Sequence, residues 1–591
     1  MKRFNSVLLV LIMVFSVVSM SLLTASAYTV PSNMQWWADS RLGMFIHFGS
    51  YSYYGQGEWA MSQKSMSKQT YQTTVSANFN PMNFNATTIA NYAKNAGMKY
   101  LVITAKHHEG FSMWDTAVAS FKDYTGTKMY SLQKYTPFGS TGRDVLMELK
   151  NACDAAGIKF CLYYSILDWN HSSQTGYNFT QMTSMTARTS YIADMKAQLR
   201  ELVTKYNPAV LWFDGDWLEY DGTPTVDKWW TKADGQDLYS YVKGLNPNII
   251  INERVARGFD LGDFACPEAT VPAAPLSRSW ETCQTMNGAW GYTSSKESSY
   301  RSVQSIIQEM VTVVSREGNY LLNIGPKGDG SMTGGSQTIL NGVGSWMAIY
   351  NDSIYGTTRN PFGSDPSWGR YTQKGNKVYA HVFTWPANGT LTASVLPGTI
   401  SKVYLLNNTG TSLSYSVSGS NINISIPTAA PNANDSVVVI EYSSISNAFP
   451  AAGVSYKIVN RNSGKALDVS GGSIADGANI IQYTYGGANN QKWQFVDAGG
   501  GYYKIKSVKS GKVMDISGGS TADGAKDIQW TDTGATNQQW QIIESDGGYY
   551  KIKNRKSGKV LDITGSSTAD RAQCIQWTDT GSNNQQWQIT P

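Results

Sequence analysis

Three stretches near the C-terminus restate one another at a fixed spacing: SGKALDVSGGSIADGANIIQY, SGKVMDISGGSTADGAKDIQW and SGKVLDITGSSTADRAQCIQW. Each is followed by NNQKW, TNQQW or NNQQW. Asp468, Asp515 and Asp562 stand 47 residues apart, as do Tyr483, Trp530 and Trp577, and likewise Trp493, Trp540 and Trp587. Recurrence at this period means that each copy is one supersecondary unit that cannot bury a core alone, so the three must close on one another. Trp493, Trp540 and Trp587, one near the end of each copy, are expected to pack beneath the three-fold axis.

Three such repeats with a QxW near the end of each resemble the ricin-type β-trefoil lectins, over residues 454–591. The resemblance implies three sugar pockets, each built from the aspartate, the aromatic fifteen residues on, and the asparagine before QxW. Those sets are Asp468, Tyr483 and Asn490, then Asp515, Trp530 and Asn537, then Asp562, Trp577 and Asn584. An aromatic face stacks on the apolar face of a pyranose, while a carboxylate and an amide fix its hydroxyls. The pockets are not equal. The first has Tyr483 for Trp, and the third repeat has Arg571 where the others have Gly477 or Gly524, so the Trp530 pocket is expected to bind best.

Upstream, from residue 41 to about 350, short apolar runs alternate with amphipathic helical stretches. The runs are LGMFIHFG, KYLVITAKHH, KFCLYYSILDW, AVLWFDGDW, NIIINER, a weaker SRSWETC, and NYLLNIGP. Several helical stretches end in Gly or Asn-Pro just before the next run. Seven or eight β/α units predict a (β/α)8-like barrel over residues 28–355, and no GxGxxG follows the first strand to favour a dinucleotide fold. From residue 356 to 445 the pattern is strands without helices, which predicts a β-sandwich. Residues 446–453 read as a linker. The chain is thus expected to be multidomain: barrel, sandwich, trefoil.

The N-terminus has a basic start, an apolar run and Ala25-Ser26-Ala27, which together read as a signal peptide over residues 1–27, cleaved after Ala27, and so a secreted protein. The run is shorter than the roughly 20 residues of a membrane anchor and is interrupted by serine. A formal charge of +5 over 591 residues, with no dense basic cluster, argues against nucleic acid or a membrane surface as partner. Five cysteines without a CxxC make neither a disulfide framework nor a zinc site.

A barrel enzyme works at the C-terminal ends of its strands. Three of the chain's five histidines fall there: His47 ends the first run, and His107 and His108 end the second. Tyr164 lies in the third run, Asp214 ends the fourth and Arg254 the fifth. Alternation puts Phe45 with His47, Ile103 and Ala105 with His107, Trp212 with Asp214, and Asn252 with Arg254 on common faces. Adjacent strand residues point apart, so the His-His-Glu sequence is a poor metal chelate and no metal or cofactor is expected. Imidazoles, carboxylates, an arginine and tryptophans suit sugar hydrolysis.

GMFIHFGSYSYYGQGEW, AKHHEGFSMWDT, LYYSILDW, NPAVLWFDG, SWETC with WGY, and LLNIGPKGDG together resemble the α-L-fucosidases of glycoside hydrolase family 29, over residues 30–445. The resemblance implies a retaining exo-glycosidase acting on fucosylated oligosaccharides or glycoproteins, with Asp214 as nucleophile. It implies a fucose pocket of His47, Glu58, Trp59, His107, His108, Tyr164, Trp212 and Arg254. It points to Glu268 as general acid/base, although Ala269 follows where a tyrosine is common. Glu281, Glu58 and Glu253 remain alternatives for that role. Two other functions are compatible with the residues: a related exo-glycosidase preferring L-galactose, and a glycan-binding protein without catalysis.

Overall fold

The computed structural model describes residues 30–175, 180–362, 364–396, 398–445, 454–499, 501–545 and 549–590. The expected leader and linker lie outside the described residues. The chain divides into two compact units between Ser446 and Asn447.

The first unit is built on seven parallel strands: β1 (Leu42–Ile46), β2 (Tyr100–Lys106), β3 (Lys159–Ser165), β4 (Val210–Asp214), β5 (Ile250–Ile251), β6 (Glu281–Thr285) and β7 (Asn319–Ile324). Their order in the sheet is β5-β4-β3-β2-β1-β7-β6. The edge strands are joined through two residues between them. Phe264 bridges Asn252 beyond β5, and Ala265 bridges Trp280 just before β6, both in parallel sense. This stretch takes the place of an eighth strand.

Six helices follow the strands: α1 (Ala86–Asn95), α2 (Val145–Ala156), α3 (Met185–Tyr206), α4 (Lys232–Leu245), α5 (Val303–Val314) and α6 (Gly334–Tyr350). Each begins at a residue whose side chain accepts a backbone N–H of the first turn: Asn85, Asp144, Ser184, Thr231, Ser302 and Thr333. Such caps stabilise a helix by about 1 kcal/mol each. α2 ends at Gly157 and α3 at Asn207, both left-handed, as the Gly and Asn-Pro signals foretold. Among the described residues no helix of this kind lies between Ile251 and Glu281.

Alternation along the strands separates two cores. Phe45, Tyr100, Val102, Cys161, Tyr163, Val210, Trp212 and Leu321 fill the barrel interior. Met44, Ile46, Leu101, Ile103, Ala105, Leu162, Tyr164, Leu211 and Phe213 belong to the layer packed against the helices.

The same unit ends in two antiparallel sheets. One contains Gly369–Lys374, Lys377–Val382, Ser436–Ile445, Gly398–Leu405 and Asn408–Ser412, and the other Thr390–Ser394, Asn421–Ser425 and Tyr415–Ser418. Val438 and Ile440 face the sandwich core, while Val437 and Val439 join the core of the barrel's helical layer. Trp346 on α6 donates to the carbonyl of Asp435 at 3.0 Å, so sandwich and barrel form one body.

The second unit is a twelve-stranded β structure in three repeats. The last strand of each repeat pairs antiparallel with the first strand of the next, and Trp587–Thr590 returns to Ser455–Asn460 to close the ring. Trp493, Trp540 and Trp587 are fully buried, each donating its indole N–H to a carbonyl (Leu467, Met514 and Leu561) of its own repeat. All five cysteines of the chain are buried free thiols.

Candidate active site

A cavity opens at the C-terminal ends of β1 to β4. Phe45, His47, Glu58, Trp59, His107, His108, Tyr163, Trp212, Asp214, Trp217, Arg254, Glu268, Cys283 and Trp290 line it. Asp214 is the last residue of β4. Its Oδ1 accepts from Arg254 Nη1 and from Arg257 Nη2, each at 3.0 Å. Its Oδ2 has a single hydroxyl donor, Tyr163 at 3.2 Å, with His108 Nε2 at 3.6 Å. Burial pushes the Asp214 carboxyl up, but Arg254, His108 and Arg257 outweigh it and hold it at about 2. Asp214 is therefore an anion across the ordinary pH range, with Oδ2 the less encumbered oxygen.

Arg254 sits in a short 3-10 turn after β5 rather than on the strand. Its other nitrogen donates to Glu268 Oε2 at 2.7 Å, and its guanidinium lies 4.7 Å from the Trp212 ring centre. One planar guanidinium thus carries two carboxylates, Asp214 from the barrel wall and Glu268 from the rim, the latter side chain 44 % exposed.

The histidines are placed by their rear hydrogen bonds. The Asn323 amide N–H donates to the Trp290 carbonyl at 2.8 Å, so Asn323 Oδ1 must accept from His47 Nδ1 at 2.7 Å. The Ser165 hydroxyl donates to Leu167 O at 2.5 Å and accepts from His108 Nδ1 at 2.7 Å. In both rings Nε2 is left as a lone-pair acceptor. Burial, the largest cause, lowers both imidazoles to about 4, so they are neutral at working pH. His107 is also driven down by burial and lies 4.1 Å, ring centre to ring centre, from His108.

Both members of the pair line the cavity. They can do so because β2 ends at Lys106, and its pairing with β3 shifts register between Thr104 and Lys106. This corrects the expected facing of His107 with Ile103 and Ala105: those two side chains point to the helical layer. Tyr164 is a second correction. Its hydroxyl donates to Gln198 on α3 at 2.8 Å and its ring packs in the helical layer, away from the cavity. The preceding Tyr163 points inward, directly opposite Trp212 in the β3–β4 register. In the pair LYYS, strand alternation allows only one tyrosine into the barrel.

The remaining carboxyls separate clearly. Glu58 lines the cavity and accepts from the Gly291 N–H at 2.7 Å, with burial raising its carboxyl. Glu281 is buried below Trp212, accepting its indole N–H at 3.0 Å and the Tyr100 hydroxyl. Burial pushes Glu281 up to about 7. Glu253 turns away and accepts from the Cys266 N–H at 2.6 Å. Five lining or supporting residues were not singled out from the sequence: Tyr163, Arg257, Trp217, Cys283 and Trp290. Trp217 lies 5.4 Å from Trp59 with the rings tilted by 30°, and Trp290 lies 5.3 Å from His47. A signal existed for Trp290, whose WGY belongs to one of the family motifs; for Tyr163 the facing follows only from the register of β3 with β4.

In the trefoil, Asp468, Asp515 and Asp562 accept from Asn490, Asn537 and Asn584 at 3.0, 3.0 and 2.9 Å. Tyr483 pairs across from Ala466, two residues before Asp468, so ring and carboxylate share a face; Trp530 and Trp577 repeat this with Val513 and Val560. These three aromatics are exposed (36, 42 and 42 %), in contrast to the buried QxW tryptophans. Arg571 is a third correction: its N–H bonds Gln482 O at 2.8 Å, as Gly477 does Gln529 and Gly524 does Gln576, so it borders the first repeat's aromatic.

Among the described residues, no three His, Cys, Asp or Glu side chains are grouped as metal ligands, and no helix is long and apolar enough to cross a membrane.

Residues 23–352 match the family model described as alpha-L-fucosidase, and residues 364–440 that of the alpha-L-fucosidase C-terminal domain. Residues 447–530 and 536–591 match the ricin-type beta-trefoil lectin domain-like model. Tissue alpha-L-fucosidase of Bos taurus is 29 % identical over 386 residues, covering 60 % of this chain and 76 % of the relative. The solved alpha-L-fucosidase isoenzyme 1 of Paenibacillus thiaminolyticus is 32 % identical with a TM-score of 0.61, covering 70 % of this chain and 99 % of that one. A family 29 alpha-L-fucosidase of Bacteroides thetaiotaomicron, solved as a trapped covalent intermediate with 2-fluoro-fucosyl fluoride, is 27 % identical with a TM-score of 0.61, covering 71 % and 98 %.

Proposed function

The chain belongs to the α-L-fucosidase family, as a glycoside hydrolase with α-L-fucosidase activity, and we propose that it releases terminal α-L-fucose by double displacement with retention. The observation that carries this reading is Arg254 holding Asp214 and Glu268 on one guanidinium at the cavity mouth. Asp214, kept anionic, attacks the anomeric carbon through Oδ2 to form a fucosyl-enzyme ester. Glu268 protonates the leaving oxygen and then, as base, activates the water that hydrolyses the ester. Its exposed position at the rim suits a group that meets the aglycone. The trapped covalent intermediate of the Bacteroides relative supports the same course here.

The neutral Nε2 atoms of His47 and His108 accept sugar hydroxyls. Phe45, Trp212 and Trp290 supply the apolar wall that suits a methyl-bearing sugar. The trefoil holds glycan and raises its local concentration for the barrel. The leader sequence supports secretion. Asp214→Gly should lower kcat/KM on an aryl α-L-fucoside on the order of 10³-fold or more, with circular dichroism unchanged. Glu268→Ala should slow poor leaving groups far more than good ones, with azide restoring rate on the latter. Full activity of Asp214→Gly overturns the assignment. The azide pattern appearing in Glu281→Ala instead of Glu268→Ala moves the acid.

A further inference from the structure

The three trefoil pockets differ in charge because each borrows residues from its neighbours. A Cβ at Gly472, beside the first pocket's Asn490, would come within 2.5 Å of Nζ of Lys509, which the second repeat contributes. At the second pocket the same relation holds between Gly519 and Lys556 of the third repeat, at 2.7 Å. Both glycines have φ near +60°, and the space a side chain would fill is taken by the ammonium. Lys509 and Lys556 are exposed; neither ammonium is within hydrogen-bond or ion-pair distance of an acceptor among the described residues, but Lys509 acts on Asp468 and Lys556 on Asp515 as the counter-charge of that pocket's carboxylate.

The third pocket departs at both positions together. Ser566 replaces the glycine, and Asn462 replaces the lysine, its amide donating to Ser566 O at 3.0 Å. A Cβ at 566 removes the room for an ammonium, so the two replacements are one structural change. The first pocket departs a second way. A Cβ at Gly477 lies 3.6 Å from the six-membered ring of Trp530, and one at Gly524 lies 3.6 Å from that of Trp577. Arg571 occupies this position beside the first pocket and carries a long side chain there. The aromatic of that pocket is the smaller Tyr483. The first pocket therefore has two cations at its edges, the second has one and the third has none.

We infer that the first pocket (Asp468, Tyr483, Asn490, with Lys509 and Arg571) takes a sugar bearing an anionic substituent, sulfate or carboxylate, while the third takes a neutral sugar. The inference rests on the glycan-holding role proposed above. The aspartate and asparagine bind ring hydroxyls in every pocket. A sugar anion reaching the rim meets two cations against one carboxylate, Asp468, in the first pocket, and in the third the carboxylate Asp562 with no cation against it among the described residues. Surface charge pairs of this kind are worth about 0.2–1 kcal/mol each, roughly 1.5- to 5-fold in affinity per pair.

The test uses the full chain and three polymers carrying galactose, galactose sulfate or galacturonate at equal density. Retention of the anionic polymers should exceed that of the neutral one. Lys509→Asn with Arg571→Gly should lower it about 2- to 25-fold while neutral retention holds. Asn462→Lys with Ser566→Gly should raise it. A gain on sulfate alone or carboxylate alone identifies the source of the anion. Equal retention of all three polymers by parent and variants overturns the inference and leaves the lectin role standing. Anionic retention that survives the double substitution, or that is equally lost with any surface lysine, also overturns it. Retention of none of the polymers refutes the lectin role itself.

Discussion

Replacing Arg254 by leucine should move the acid limb of the pH–rate profile. Asp214 stands at about 2 against an ordinary 3.8 for aspartate, a difference worth about 2 kcal/mol in favour of the anion. Burial works against that anion, and among the opposing causes Arg254 is the largest. Without it the carboxyl should rise, carrying the acid limb of kcat/KM upward by about one to two pH units. Arg257→Leu, removing a smaller contribution, should shift the limb less. A depressed carboxylate contributes stability that is fully present above about pH 4 and is lost as pH falls towards 2. Arg254→Leu should therefore lower the melting temperature markedly at pH 6 and little at pH 3. The assay is kcat/KM for an aryl α-L-fucoside from about pH 2 to 9, with circular dichroism at each pH. A folded variant whose acid limb stays within half a unit of the parent refutes Arg254 as the group holding Asp214.

Tyr163→Phe should reduce kcat/KM by removing the hydroxyl on Oδ2, whereas Tyr164→Phe should leave kinetics within about two-fold and cost about 1 kcal/mol of stability through its lost bond to Gln198; parallel kinetics and melts of the two variants compare them directly. Glu281, raised to about 7 by burial, should make the fold lose stability as pH climbs from about 4.5 through 7, and Glu281→Gln should flatten that slope in melts taken between pH 5 and 8. Trp530→Ala with Trp577→Ala should weaken retention on immobilised mucin-type glycan and leave aryl-fucoside hydrolysis unchanged; a fall in hydrolysis with an intact circular dichroism spectrum contradicts independent domains.

Much of this architecture was legible in the chain because the signals were local. The Gly and Asn-Pro helix stops act within a few residues of where they stand, and the 47-residue repeat is visible by comparing one stretch with the next. The stretch between Ile251 and Glu281 was not legible as β/α, since two bridged residues do the work of a strand and carry no periodicity. The site showed the same division. Asp214, Trp212 and His47 could be placed from strand ends, but His107 could not, because a register shift at the end of β2 breaks the alternation used to place it. Tyr163 and Tyr164 differ only in which face the register gives them, and the motif alone does not state it. Arg571 looked like a feature of its own repeat because ring closure between repeats is invisible to a linear comparison.

The central claim is that Asp214 becomes covalently fucosylated during turnover. Incubation of the full chain with 2-deoxy-2-fluoro-α-L-fucosyl fluoride, followed by proteolysis and mass spectrometry, tests it directly, with proton NMR of early product from an aryl α-L-fucoside alongside. The account predicts a fluoro-fucosyl adduct on the peptide containing Asp214 and first-formed α-L-fucose. An adduct on another carboxylate, or β-L-fucose as the first product with no adduct, would contradict it.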